Sequence, residues 1–280
     1  MQKQVLAIHD LSCIGRCSLT VALPVLSACG IHTSALPTAL LSTHTGEFTG
    51  YTYLNLTDEM QRIAAHFATL PLHFHGLYTG FLGSYAQLQL VGDVLQRYHA
   101  SDTLTLVDPV MADHGRLYAT YTRQMAGSMG ELCCLADVIV PNLTEASILL
   151  DIPYDPSPSW PQVQQIMEAL AARYGCAHVV ITGVPRGEML GASIFSSATG
   201  VSSFAGGSVL PGVFYGTGDV LASALLGAML CDLSAADALS AAVDFTHTAM
   251  VHTLANDLPL RYGVAFEQAL PVLLRTLGLC

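Results

Sequence analysis

Basic residues are scarce in this 280-residue sequence. Lys and Arg together number 10 against 21 Asp and Glu, giving a formal net charge of −11. No basic run occurs anywhere, and nucleic-acid binding depends on a positive footprint, so that class is excluded. Long apolar runs are also missing. Residues 220–231 are interrupted by Ser223 and ended by Asp232, well short of the roughly 20 apolar residues of a spanning helix. The opening MQKQVLAIHD has too short an apolar run for a secretory signal, so a cytoplasmic protein with no membrane partner is expected. None of the eight cysteines forms CxxC, and a disulfide scaffold does not suit this length. The pair His73 and His75, and His247 with His252, lack Cys or carboxylate neighbours at ligand spacing, so no metal role is expected for them. Repeats and low-complexity linkers are absent too. The loop-like IPYDPSPSWP (152–161) reads as a connection within one domain spanning residues 1–280.

What the chain has in quantity is apolar surface. Hydrophobic residues make up 52% and charged residues 11%, which suits a sheet covered by helices on both faces. Several β-rich runs stop at polar residues: QVLAIHD at Asp10, TLTLVDP at Asp108, ADVIVPN at Asn142 and AHVVITG at Thr182. Helix-like segments lie between and beside them, over 18–29, 57–69, 84–98, 119–134 and 161–174. The alternation predicts an α/β fold with a central, mostly parallel sheet and helices on both faces. Ligands of such sheets collect at the carboxyl ends of the strands, where these polar residues sit. The C-terminal part reads as three helices, DVLASALLGAMLC, SAADALSAAVDFTHTAMVHTL and AFEQALPVLLRTL, with Ser234 as N-cap of the second.

Three motifs carry chemistry, and each has a plainer account beside it. In GTGD (216–219), Gly216, Thr217 and Gly218 precede a helix whose free N–H groups and dipole attract an anion. Asp219 in its first turn either takes a proton from an attacking hydroxyl or merely caps the helix. In VDPVMADHG (107–115), Asp108 and Asp113 suit Mg²⁺ bridged to phosphates, or a solvated turn. In VPNLTEA (140–146), Asn142 follows a strand and Glu145 falls in a first helical turn; an Asn turn with a dipole-favoured Glu accounts for both, so this motif by itself is a weak signal. STHTGEFTGY (42–51) is rich in hydroxyls, carries His44 and has no P-loop pattern. LSCIGRCSLT (11–20) is a Gly-containing loop suited to small-molecule contacts. The acidic net charge does not exclude an anionic substrate, because backbone amides and bound metal neutralise phosphate locally.

In this order, LAIHDLSCIGRCSLTVALPVLSACG, LSTHTG, GFLGS, DPVMAD, VPNLTEA and GTGDVLASALLGAML resemble the pyridoxal kinase branch of the ribokinase-like family. The co-occurrence of DPVMAD, PNLTE and GTGD is more specific than any one of them. The resemblance implies ATP-dependent phosphorylation of the 5′-hydroxymethyl group of vitamin B6 vitamers, with Mg²⁺, and leaves a monovalent cation open. It implies a homodimer with one site per subunit. It implies Asp219 as catalytic base and Gly216, Thr217 and Gly218 as anion hole. Asp108, Asn142, Glu145 and Thr182 fall beside the nucleotide, with Asp113 and Glu145 on the metal side. Asp10, Ser12, His44, Thr45 and Phe81 fall at the vitamin. Asp10 stands where many such kinases have Ser, with Ser12 able to compensate, and Phe81 stands where Tyr is frequent. A related branch phosphorylates hydroxymethylpyrimidine and places a Cys near the position of Asp113. Another small-alcohol kinase of the same fold is a further alternative. A non-catalytic vitamer binder is the reading from a different class, but a binder has no need of a base at 219.

Overall fold

The structure, a computed structural model, describes residues 2–118 and 121–280. In chain order its strands are β1 (Gln4–Ile8), β2 (Leu11–Ile14), β3 (His32–Ala35), β4 (Ala39–Thr43), β5 (Tyr53–Asn55), β6 (Gly76–Thr79) and β7 (Leu104–Val107). There follow β8 (Ala112–Asp113), β9 (Arg116–Leu117), β10 (Val138–Ile139), β11 (His178–Arg186), β12 (Met189–Ser196) and β13 (Val201–Ser208). The helices are α1 (Leu19–Ala28), α2 (Thr57–Phe67), α3 (Tyr85–Tyr98), α4 (Arg123–Cys133), α5 (Leu143–Leu150), α6 (Trp160–Tyr174), α7 (Thr217–Leu230), α8 (Ala235–Ala255) and α9 (Phe266–Thr276).

Eight strands form one sheet in the order β13-β12-β11-β10-β7-β6-β1-β3. Every pairing from β3 across to β11 is parallel, and β11, β12 and β13 pair antiparallel. Strand β6 is buried along its whole length, as expected of parallel strands covered on both faces. The side-chain alternation separates two cores. Leu6, Ile8 and Leu77 point toward α2–α6, whereas Val5, Ala7 and Tyr78 point toward α1, α7, α8 and α9. Two small sheets stand outside this frame: β2-β4-β5, and the hairpin β8-β9. Among the described residues, no helix is long and apolar enough to cross a membrane.

Helix α7 is the central support of its layer. Most of it is buried, from Val220 through Ala228 and again at Leu230, so it is apolar on nearly every side. Burial of each Leu contributes about 1.5–3 kcal/mol. Its small residues admit close neighbours: a Cβ on Gly227 would lie 2.6 Å from Cys29 Sγ.

The sheet and its two helical layers match the expected α/β class. The expected helix over 119–134 is observed as Arg123–Cys133, capped by Thr122, whose hydroxyl accepts from Met125 N at 3.2 Å. Ala119 and Thr120 lie outside the described residues. Ser234 caps α8 as expected, accepting from Asp237 N at 3.2 Å. The antiparallel edge was not expected. Strand β11 does not stop at Thr182 but shifts register through a bulge at Gly183, φ 69°, and continues to Arg186. The partners MLGASIFS and VSSFAGGS are rich in Gly, Ser and Ala, which weakens their strand signal.

Candidate active site

The carboxyl ends of β1, β6, β7, β10 and β11 open onto one edge of the sheet. Helix α7 points its N-terminus at that edge. Its N-cap is Gly216, in the left-handed region at φ 72° and with no capping side chain. A Cβ at this position would sit 2.0 Å from the Arg16 carbonyl oxygen, so only Gly fits both the backbone and the gap. The first-turn amides of Thr217, Gly218 and Asp219 lack intrahelical acceptors. Gly218 is exposed with nothing within 4 Å of a Cβ position, leaving the approach to these amides open. Gly216, Thr217 and Gly218 therefore lie at a helix start with free amides, the kind of end that suits an anion.

Asp219 sits in that first turn with 16% of its side chain exposed. Burial pushes its carboxyl up from 3.8 to about 7; the Ser18 backbone amide opposes the rise and the Asp10 carboxylate adds to it. A carboxylate near neutrality with one open edge can accept a proton from a hydroxyl. The cap-only account is not what α7 shows, since Asp219 is three residues inside the helix and Gly216 is the cap.

Asp10, just after β1, is 5% exposed. Its Oδ2 accepts from Ser12 Oγ at 3.0 Å and its Oδ1 from Ser18 Oγ at 2.5 Å. Burial raises this carboxyl, and the two serine hydroxyls oppose it. Asp10 and Ser12 thus form one buried unit. His44 is held on two sides: its Nε2 donates to the Arg261 carbonyl at 2.5 Å and its Nδ1 accepts from Gly46 N at 3.1 Å. Its ring stacks on Tyr215 at 5.1 Å and meets Phe48 edge-on at 5.0 Å. Thr45 lies between His44 and Gly46 and is half-buried. Phe81 is half-buried, and its carbonyl accepts from Thr38 Oγ1 at 2.8 Å.

The third group lies across β7, β10 and β11. Asp108 follows β7 and is 7% exposed. Burial, then the Glu145 and Asp219 carboxylates, raise its carboxyl well above the ordinary value. Glu145 is buried in a capping box with Asn142. Its Oε2 accepts from Asn142 N at 2.9 Å and its Oε1 from Met111 N at 3.0 Å and Ala112 N at 3.4 Å. Burial pushes Glu145 up to about 8 against these amides. Asn142 is spent on structure: Oδ1 accepts from the amides of Thr144 and Glu145, and Nδ2 donates to the Ala112 carbonyl at 2.8 Å. The plain account of an Asn turn and a first-turn Glu is thus extended by the structure into a reciprocal capping box, which fastens α5 to the Asp108–Asp113 segment. Asp113 lies on hairpin β8-β9, half exposed, and caps the His114 amide at 2.8 Å. Thr182 borders the edge through a parallel bridge to Asn142. Asp113 and Glu145 offer carboxylate oxygens of the kind a hard divalent cation takes, but among the described residues they form no cluster of three ligand atoms with another carboxylate.

Several contributors were not foreseen. Phe48, Tyr215, Arg261 and Tyr262 close around His44, with the Arg261 guanidinium 5.3 Å from the Phe48 ring and 5.1 Å from the Tyr262 ring. Arg16 joins the loops, donating its amide to the Tyr262 carbonyl at 2.9 Å and its Nε to Glu267 at 2.7 Å. No local motif marks these residues, because they meet only through tertiary packing. The expectation that His73 and His75 have no carboxylate at hand needs correction. Asp102, distant in sequence, accepts from or pairs with His73 Nε2 at 3.0 Å, and the three groups gather at the amino end of β6. There, however, His75 Nδ1 accepts from Gln4 N at 3.2 Å, which leaves the proton of a neutral ring on Nε2.

A family model described as phosphomethylpyrimidine kinase matches residues 21–259. A Schizosaccharomyces pombe protein provisionally named a pyridoxal kinase is 29% identical over 241 residues, covering 82% of this chain and 74% of that one. A Bacteroides thetaiotaomicron protein provisionally named a phosphomethylpyrimidine kinase, in an orthorhombic crystal form with pyridoxal, is 36% identical. It covers 98% of this chain and 96% of its own, with a TM-score of 0.93. Pyridoxal kinase from Lactobacillus plantarum is 35% identical, covers 98% of each chain and has a TM-score of 0.91.

Proposed function

Since this chain belongs to the phosphomethylpyrimidine kinase family, and is a kinase of its pyridoxal kinase kind, we propose that it transfers the γ-phosphoryl group of ATP to the 5′-hydroxymethyl group of pyridoxal, pyridoxine or pyridoxamine. The observation that carries this reading is the open helix start at Gly216–Gly218 with a mostly buried carboxylate, Asp219, in the same turn. The likeness to a structure obtained with pyridoxal supports the choice of substrate class.

In this mechanism Asp219 takes the proton of the vitamer hydroxyl. The hydroxyl oxygen forms the new bond to phosphorus as the bond to the ADP oxygen breaks. The amides of residues 217–219 hold the moving phosphoryl oxygens, where fixed donors stabilise growing charge without reorganising. Mg²⁺, when bound, would supply positive charge against the nucleotide phosphates. Asp113 would lie on its side directly, and Glu145 through the lone pairs its backbone contacts leave free. Asp108, Asn142 and Thr182 border the nucleotide side. Asp10, with Ser12, faces the ring as an acceptor for a protonated pyridine nitrogen or the 3-hydroxyl, and His44, Thr45 and Phe81 line the same pocket.

An ADP-release assay tests this across the three vitamers and hydroxymethylpyrimidine. Turnover of vitamers with little on the pyrimidine is the expected result. The family model favours the pyrimidine as second reading, and a preference for it in the same assay would establish that reading instead. No ADP release on any of them would leave a binder. Potassium dependence in this assay reads out a monovalent cation, and sedimentation checks the homodimer that belongs to the same reading.

A further inference from the structure

We infer that His9 is a positioning residue for Asp219: its neutral imidazole holds the carboxylate from the protein side by an Nδ1–H directed at Oδ1, leaving Oδ2 for the substrate hydroxyl. The inference rests on the reading of Asp219 as the base. His9 follows β1 directly and is wholly buried. Among the described residues, neither of its ring nitrogens has a hydrogen-bond partner. Its Nδ1 stands 4.0 Å from Asp219 Oδ1. A hydrogen bond of this type ends near about 3.2 Å, so a shift of less than about 1 Å by either side chain completes it.

The fold makes room for this ring. A Cβ on Gly80 would lie 2.2 Å from His9 Nδ1 and 2.5 Å from Cε1, so the space of a side chain at 80 is given to the imidazole. Tyr78 walls the other side, edge-on with ring centroids 4.2 Å apart. Stability does not call for a polar ring here. A buried donor and acceptor without partners is costly, and an aliphatic side chain of similar volume would avoid the cost. A fold that retains the expense at 4.0 Å from its base is spending it on geometry.

The direction of the contact follows from charge. Burial lowers His9 to about 3, so the ring is neutral wherever Asp219 is ionised. It cannot receive the proton that Asp219 collects, and it acts as a donor only. The neutral ring has one N–H, and the Nδ1 tautomer places it toward Oδ1. Other groups facing Asp219 are the Asp10 and Asp108 carboxylates, the Cys17 thiol, the Tyr78 and Tyr118 hydroxyls and the Ser18 amide. The two carboxylates disfavour its ionised form. His9 and the Ser18 amide favour it.

The test compares His9→Leu, His9→Gln and Asp219→Asn in the full-length protein, by melting temperature, kcat, KM for vitamer and ATP, and the pH profile of kcat. Expected for His9→Leu is a melting temperature equal to or above the parent's and near-parental KM values. Its kcat should be about 10- to 100-fold lower, as for misplacement of a reacting group. The acidic limb of kcat should move to higher pH, because the carboxylate has lost a donor. His9→Gln, a neutral donor, should restore most of the rate. Parental kcat and pH profile in His9→Leu would overturn the inference, as would equal impairment of both His9 variants. A His9→Leu protein that fails to fold would overturn it too, since the imidazole would then be a packing requirement. If Asp219→Asn is inactive while His9→Leu is unimpaired, only the role of His9 falls. If Asp219→Asn is silent, the base reading falls and takes this inference with it.

Discussion

Asp219→Asn separates a base from a cap by moving activity and stability in opposite directions. In the folded protein the carboxyl titrates near 7 rather than at 3.8, and each pH unit of displacement is worth about 1.4 kcal/mol. The sign follows from linkage: a carboxyl whose folded value is raised favours the fold fully below pH 3.8. That favour is lost as pH climbs through about 7. At pH 8 the ionised Asp219 therefore costs the fold up to about 4 kcal/mol. Asn carries no such cost. It does add amide protons that lack an assigned partner, at about 1–3 kcal/mol, and forfeits a dipole contact of about 0.3–1 kcal/mol. The net is a gain of between about 0 and 3 kcal/mol at pH 8, or up to several degrees in melting temperature. At pH 5 the gain should have vanished or reversed. Over the same substitution kcat should fall about 10²–10⁴-fold, the usual contribution of a general base. Thermal unfolding at pH 5 and pH 8, with ADP release under saturating vitamer and Mg·ATP, measures both. Turnover within a factor of about two of the parent would refute the assignment of the base. An unchanged melting difference between the two pH values would refute the buried-carboxylate reasoning behind it.

Gly216→Ala should cost at least about 1–2 kcal/mol for the left-handed backbone, and more because its Cβ would meet the Arg16 carbonyl at 2.0 Å. Calorimetry should show the loss together with a fall in kcat, and a silent variant would show that the cradle is not fixed by this contact. Glu145→Gln turns an amide N–H₂ toward backbone donors, so it should lower stability by about 1–3 kcal/mol. Asp113→Asn, on a half-exposed hairpin, should leave the melting temperature alone. Together the two should weaken Mg²⁺ dependence, and unchanged activity and Mg²⁺ titration would remove both from the metal side. Asp10→Ser should alter the ranking of the three vitamers by kcat/KM more than the KM for ATP. An unchanged ranking would place Asp10 outside the ring pocket.

Local sequence was enough to determine the layers and the polar carboxyl edge of the sheet. Parallel strands covered on both faces are buried throughout, as GLYT and VLAI are, and a chain that leaves β1 or β7 toward Asp10 or Asp108 places that carboxylate at the carboxyl edge. The GTGD start of α7 was equally legible, because a Gly cap, a small polar residue and a first-turn Asp are adjacent in the chain. Asn142 and Glu145 were legible as a turn and a first-turn Glu, whereas the capping box they close was seen only in the structure. Tertiary structure alone decided the rest. The antiparallel edge β12-β13 is held by pairing with β11 rather than by strand propensity. The closure of Phe48, Tyr215, Arg261 and Tyr262 around His44 joins segments more than 160 residues apart in sequence. His9 is the sharpest case. In the sequence it is a lone histidine before an aspartate. Only the packing of β1 against β6 and α7 strips it of water, opens Gly80 to its ring and sets its Nδ1 4.0 Å from Asp219. Burial and distance are properties of the assembled layers, and no pattern along the chain encodes either one.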